Sequence, residues 1–318
     1  MNGNLNKSFN FPLFQNRKIV CLYTQKKNEV VSKTIRIGGV PEHYNTPIHL
    51  AIESGAIENE GLKVEWKTFE GGTGEMREAL INNEVDICAI LTEGIVSGIL
   101  QGVPAKIISG YVKSPLIWGI HSGTENPIRD HKEIYDKRFA ISRFGSGSHL
   151  MPIVDALNND KKIEESQFHI INNLKTALNS LQNQETDVFY WEKYTTKPYV
   201  ERGELKRIGE YVTPWPCFVL AAHQDIINER PKDISRVLRQ IQRTSAMFME
   251  NEEAVDMVSE RFNIKKEDAA KWYHATEWAT DGWVSNKMLK NVVYTLKAAN
   301  IITEMADTQQ LVWQRNSI

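Results

Sequence analysis

The sequence predicts an α/β protein: two strand–helix units in succession, each with a mostly parallel sheet, followed by a helical tail. Three observations carry this. Short β-rich apolar runs alternate with helical patterns from Thr34 to Val112, the alternation restarts at Leu116 and runs to Ala222, and from Asp225 to Leu311 the pattern is helical almost throughout. Strand–helix alternation with short links is how right-handed βαβ units are built.

The elements follow in order. Thr34–Val40 is a β-rich strand, and a helical segment runs from Thr46 to about Ile57. Leu62–Phe69 alternates apolar and polar residues as a half-buried strand does, Gly71–Gly74 breaks it, and Glu75–Asn83 is helical. Val85–Leu91 is a buried-type strand, Glu93–Gln101 a helix and Ala105–Val112 a strand. In the second unit Leu116–Ile120, Phe139–Ser142, Phe168–Ile171 and Asp187–Tyr190 read as strands, with helices at Ser148–Asn158 and Asn173–Asn183. Leu205–Val212 and Phe218–Ala222 flank the turn Thr213-Pro214-Trp215-Pro216. A faint repeat links the units: Ala79-Leu80 leads through Glu84-Val85-Asp86 into a strand, and Ala177-Leu178 leads through Glu185-Thr186-Asp187 into another, with a linker three residues longer.

Composition narrows the function. The 318 residues carry 38 Lys+Arg against 40 Asp+Glu, a net charge of −2, so there is no bulk attraction to nucleic acid or anionic lipid. No apolar run reaches the roughly 18–20 residues of a membrane-spanning helix. Three cysteines at wide spacing, Cys21, Cys88 and Cys217, form neither a disulfide framework nor a metal clip; the latter two lie in apolar runs and read as buried thiols. Residues 1–33 are polar and aperiodic, and Ile19–Tyr23 is too short for a secretory signal core. The expectation is a flexible extension on a cytoplasmic protein, or a periplasmic one if the start is misassigned.

Ligands of open α/β sheets bind outside the carboxyl ends of the strands. The residues just after each strand are therefore the candidates: Glu42, His43 and Tyr44; Gly72, Thr73 and Gly74; Thr92 and Glu93; Arg143, Gly145, Ser146 and Ser148; Trp191 and Glu192. The two glycine runs stand between a strand and a helix, where the backbone can approach a ligand and free N–H groups can meet it. Neither run is a nucleotide fingerprint, since GxxxxGK is absent and Leu150 replaces the third glycine of GxGxxG. His43 and His49 lack zinc-ligand spacing. Ser146, Ser148 and His149 do not form a nucleophile elbow, and the serines read as helix caps. Trp272, Tyr273, Trp278, Trp283 and Trp313 fit helix faces packed on a domain rather than a base-stacking platform.

Ile35-Arg36-Ile37-Gly38 through Pro47, Ala51 to Gly55, Glu60-Gly61-Leu62-Lys63-Val64, Phe69 to Gly74, Leu80 to Ile87 and Gly102-Val103-Pro104 together resemble the type II periplasmic-binding-protein fold. The resemblance is narrower to the sulfonate, nitrate and thiamine-pyrimidine substrate-binding proteins of ABC importers. Leu91-Thr92-Glu93-Gly94 and Tyr190-Trp191-Glu192 place it near a non-exported subgroup found in yeasts and some bacteria. This implies two α/β lobes with a hinge, 34–112 with 217–318 and 113–216, crossed near Tyr111–Pro115 and Val212–Pro216, plus C-terminal helices. The fungal thiamine-pyrimidine synthases of this fold carry a cysteine-rich cluster that is missing here.

The expected function is a binding protein without cofactor, metal or catalytic residues that closes its cleft on a small polar ligand. The alternatives are an enzyme of thiamine or pyrimidine metabolism on the same fold and a cytoplasmic ligand sensor. Glu42, Glu93 and Glu192 approach the expected cleft with little opposing charge, so the ligand is expected to bear an amine and a ring, stacked on Trp191 or Tyr44. The expected partners are that ligand and, for an exported form, an ABC permease, with no nucleic acid, no membrane insertion and a monomeric chain.

Overall fold

The computed structural model describes residues 34–314, so Cys21 and the extension expected over 1–33 lie outside the described residues. The chain opens with β1 (Ile35–Gly39), α1 (Thr46–Glu53), β2 (Val64–Thr68), α2 (Gly72–Ile81), β3 (Ile87–Leu91), α3 (Thr92–Leu100) and β4 (Ala105–Val112). It continues with β5 (Ile117–Ser122), β6 (Phe139–Ile141), α4 (Gly147–Asn158), β7 (Phe168–Ile170), α5 (Leu174–Gln182), β8 (Val188–Glu192), α6 (Lys193–Glu201) and β9 (Lys206–Val212). It closes with β10 (Phe218–His223) and the helices α7 (Gln224–Glu229), α8 (Pro231–Met249), α9 (Ala254–Phe262), α10 (Lys266–Ala275) and α11 (Asn286–Ala298).

Two five-stranded sheets result, ordered β2-β1-β3-β10-β4 and β7-β6-β8-β5-β9. Each is mixed. In the first, β10 is antiparallel to both neighbours, and in the second β5 is; the other strands of each sheet share one direction. The chain passes between the sheets twice, at 113–116 and 213–217, which makes the two-lobe arrangement expected from the sequence. Central β3 is buried along its whole length, as a strand covered on both faces must be, whereas edge strand β2 is half exposed.

The lobes repeat one joint almost atom for atom. Asp86 accepts from the Arg36 backbone N–H (2.6 Å) and from its guanidinium, which also reaches the Asn83 carbonyl. Asp187 accepts from the Arg138 N–H (3.1 Å) and its guanidinium, which also reaches the Gln184 carbonyl. The repeat read from the sequence is real, but its register is corrected. Both helices end five residues before the aspartate (Ile81 to Asp86, Gln182 to Asp187), so the links are equal in length and the Ala-Leu pairs are not equivalent. Helix α6 was not anticipated: Pro198 inside it and a run of Lys, Tyr and Thr hide its periodicity.

Candidate functional site

The carboxyl ends of β1, β3, β6 and β8 converge on the cleft between the lobes. There Val40, Glu42, Gly72, Thr73, Leu91 and Phe218 face Leu116, Trp118, Ser142, Ser146, Gly147, Ser148, Trp191 and Glu192. The cavity between them is about 30 Å³, room for a water or two. Ligand pockets usually hold roughly 300–1,000 Å³, so the cleft stands shut. Gly147 shows how tightly: a Cβ there would lie 2.4 Å from the Trp118 ring and 2.5 Å from Leu91 of the other lobe.

Glu192 ends β8 and caps α6. Its Oε2 accepts from the Thr195 N–H at 2.7 Å, while Oε1, fully buried, has no partner. Burial raises its pKa to about 7 against those stabilising hydrogen bonds. Glu42 follows β1, held by its own N–H bond to Val40 O (2.8 Å). Burial first and Glu192 second push its carboxyl up to about 8. His43 Nε2 lies 3.6 Å from Glu192 Oε2 across the lobes, but burial lowers the imidazole to about 3, so it is neutral and gives Glu192 no counter-charge at pH 7.

On the other rim the hydroxyls of Ser142, Ser146 and Ser148 cluster at the start of α4. Ser148 Oγ accepts from Ser142 N–H (3.0 Å) and lies 3.0 Å from Ser146 Oγ, which donates to Arg143 O (2.7 Å). Ser146 occupies the N-cap position but makes no side-chain cap bond. The capping role expected of these serines is thus corrected: their hydroxyls serve the loop and line the cleft. Helix α2 also starts here, with Gly72 at φ +68°, a conformation that disfavours any side chain.

Of the sequence candidates, Glu42, Gly72, Thr73, Ser146, Ser148, Trp191 and Glu192 line the cavity. The others stand elsewhere. Tyr44 is buried in an aromatic cluster, stacked on His43 at 4.9 Å and against Trp272, with its carbonyl accepting from Tyr111 and Trp278, so its ring is not available to a ligand. Thr92 and Glu93 grip the second crossing segment: Thr92 Oγ1 donates to Pro216 O (2.7 Å), and Trp215 Nε1 donates to Glu93 Oε2 (2.8 Å). Glu93 keeps an unpartnered Oε1 and, by burial, a pKa near 7. Arg143 lies over Gly71 and Gly74 and pairs with Glu78 at 3.4 Å, tying the lobes at the rim. Gly145 lines a different cavity. Trp191 stacks on Phe189 at 5.2 Å, which occupies one face of its ring.

Reading only the residues after each strand missed Leu116, Trp118 and Phe218. They sit at the starts of β5 and β10, the reversed strands, whose first residues reach the same edge. Trp118 is the cross-strand partner of Glu192 and donates its indole N–H to Thr213 Oγ1 at 2.9 Å. Among the described residues no cluster of three or more His, Cys, Asp or Glu is placed to hold a metal ion, and no helix is long and apolar enough to cross a membrane.

Two lobes, paired mixed sheets of the same order and a cleft at the strand ends define a protein of the type II periplasmic-binding-protein fold. A Ca3427-like PBP model matches residues 118–211 and an NMT1-like family model matches residues 28–118. The Candida albicans CA3427 gene product, described as defining a family with the generic periplasmic-binding-protein fold, is 28% identical, with a TM-score of 0.83 over 89% of this chain and 97% of that one. The alkanesulfonate-binding protein SsuA of Xanthomonas axonopodis pv. citri, bound to MOPS, is 11% identical, with a TM-score of 0.73 over 88% and 98%. The aliphatic sulphonate binding protein SsuA of Escherichia coli is 15% identical, with a TM-score of 0.66 over 88% and 97%. No curated protein matches the chain.

Proposed function

We propose that this chain is a solute-binding protein whose lobes, 34–112 with 217–318 and 113–216, open to admit and close upon a small polar ligand carrying an amine on a flat ring, such as an aminopyrimidine. One observation carries the reading: Glu42 and Glu192 enter one narrow cleft from opposite lobes, both buried, and among the described residues neither is paired with a Lys or Arg, the nearby Arg207 offsetting only a little of the burial of Glu192. Closing two carboxylates into low dielectric is unfavourable by several kcal/mol unless a charge or donors compensate. An ammonium or amidine-like group compensates both through charge-assisted hydrogen bonds. Trp118, lying beside Glu192, offers an apolar face for the ring, and the Ser142–Ser148 hydroxyls with the α2 and α4 starts offer a polar end-site. The relatives named for sulfonates share the fold, but the acids here favour a cation over a simple anion. A permease partner belongs to the same proposal for an exported form.

The test is a thermal-shift panel across aminopyrimidines, polyamines, alkylsulfonates and inorganic anions, run on the parent protein, Glu42→Gln and Glu192→Gln, with native mass spectrometry of freshly purified protein to catch a retained ligand. Stabilisation by an aminopyrimidine that weakens in both variants is expected. Stabilisation by anions alone, unchanged or improved in the variants, contradicts the reading.

A further inference from the structure

A larger cavity, about 690 Å³, lies outside the cleft in the seam between α2, α3 and the end of α11 on one side and α4 with residues 161–168 on the other. Arg77 of α2 is set into it. Its guanidinium rests against Gly145 and Gly98, donates to Gln101 Oε1 at 2.6 Å and reaches Gly145 O at 3.5 Å. No carboxylate lies within ion-pairing distance of it among the described residues, and burial holds its pKa below the ordinary value despite nearby Glu78. Ser97 lines the same cavity fully buried, its hydroxyl without a partner. His149 Nδ1 lies 3.1 Å from the Gly145 N–H and accepts from it, which leaves the ring hydrogen on Nε2. At the rim Lys161 forms no ion pair among the described residues, while Lys162 is taken by Glu164 at 2.9 Å. Glu165 is the remaining acid there, and Phe144, Ile153, Leu157 and Phe168 form an apolar wall.

We propose that this seam is a second ligand site, for a small oxyanion carried on an aromatic body. A partly buried guanidinium with only neutral acceptors is incompletely compensated, and its fork of N–H groups suits a phosphate or carboxylate. The Ser97 hydroxyl supplies a further donor in the same cavity, Lys161 adds charge at the rim, and the apolar wall accommodates the ring. Arg77 stands on one lobe, and His149 and Lys161 on the other. An occupant therefore contacts both and favours the arrangement in which they meet, independently of what the cleft binds.

Amide NMR of the full chain titrated with phenyl phosphate tests this, with benzyl alcohol and benzylamine as neutral and cationic controls. Saturable shifts at the Gly145, Ala299 and Ile301 amides, without a matching shift at the Trp118 indole, are expected for phenyl phosphate alone. Arg77→Gln should weaken its binding about tenfold or more, the loss of a charge-assisted bidentate contact. Lys161→Ala, at an exposed position that leaves the fold intact, should weaken it a few-fold and flatten its salt dependence. Absence of shifts, equal shifts with benzyl alcohol, shifts confined to the cleft, or affinity unchanged in folded Arg77→Gln would each overturn the proposal. If Arg77→Gln does not fold, unchanged affinity in both Lys161→Ala and Ser97→Ala does so.

Discussion

Glu192 concentrates the chemistry of the cleft in one side chain: one oxygen is spent on the α6 cap, and the other is buried and unpaired. Replacing it by Gln keeps the shape and removes the charge. Amine affinity should fall at least about tenfold, matching a charge-assisted bond of roughly 1.5–3 kcal/mol, as measured by titration calorimetry. Proton linkage gives a second prediction. A carboxyl whose pKa is raised on folding holds its proton better in the folded chain, so its contribution to stability is full below about 4.5 and is lost as pH rises through the folded value. For Glu192, Glu93 and Glu42 that window closes at about 7, 7 and 8. His43 and His121, lowered to about 3, act oppositely: their contribution is present above about 6.5 and is lost as pH falls towards 3. The ligand-free protein should therefore melt lower at pH 8.5 than at pH 6.5, and Glu42→Gln should shrink the difference. A melting temperature that rises over that interval would refute the assignment of these protons.

At the scale of elements, the twin Arg–Asp joints fix each lobe's central strands. Asp86 is nearly buried and accepts both a backbone N–H and a guanidinium. Asp86→Ala should lower stability by about 1–3 kcal/mol, since a partly buried N–H loses its acceptor along with the ion pair; an unfolding titration in urea measures it, and a loss under 0.5 kcal/mol would refute it. Gly72→Ala, forced into positive φ, should lower stability by about 1–2 kcal/mol by the same measurement. The elements were largely legible because strand and helix periods differ, and β4 spans the very residues its pattern marks, Ala105–Val112. Strand direction was not legible. Nothing local in Ile117–Ser122 says that it runs against its neighbours, and so Trp118 and Phe218 escaped a search confined to strand carboxyl ends. Glu93 was misplaced for a related reason: the residue after β3 belongs to the first turn of α3, which meets the crossing segment through Trp215 rather than opening on the cavity.

At the scale of the whole molecule, ion pairs across the seam hold the lobes shut: Arg143 with Glu78, Lys197 of α6 with Asp268 of α10 at 2.7 Å, and Lys265 with Glu201 at 3.1 Å. None of these joins residues close in sequence, which is why the closed cleft, unlike the fold, had no local signal. A cavity of about 30 Å³ cannot admit a ring, so a ligand must enter an opened form and shift the population back. Small-angle scattering should show a smaller radius of gyration with saturating ligand than without. Curves that superimpose would count against a hinge. That two buried, partly protonated carboxyls receive a cation is the core of the proposed function. It is tested by calorimetry of the best-binding amine that is already fully protonated in solution at pH 7, in two buffers of different ionisation enthalpy. The claim predicts net proton release on binding, diminished in Glu42→Gln. No binding by any amine, or binding with no proton released, would contradict it.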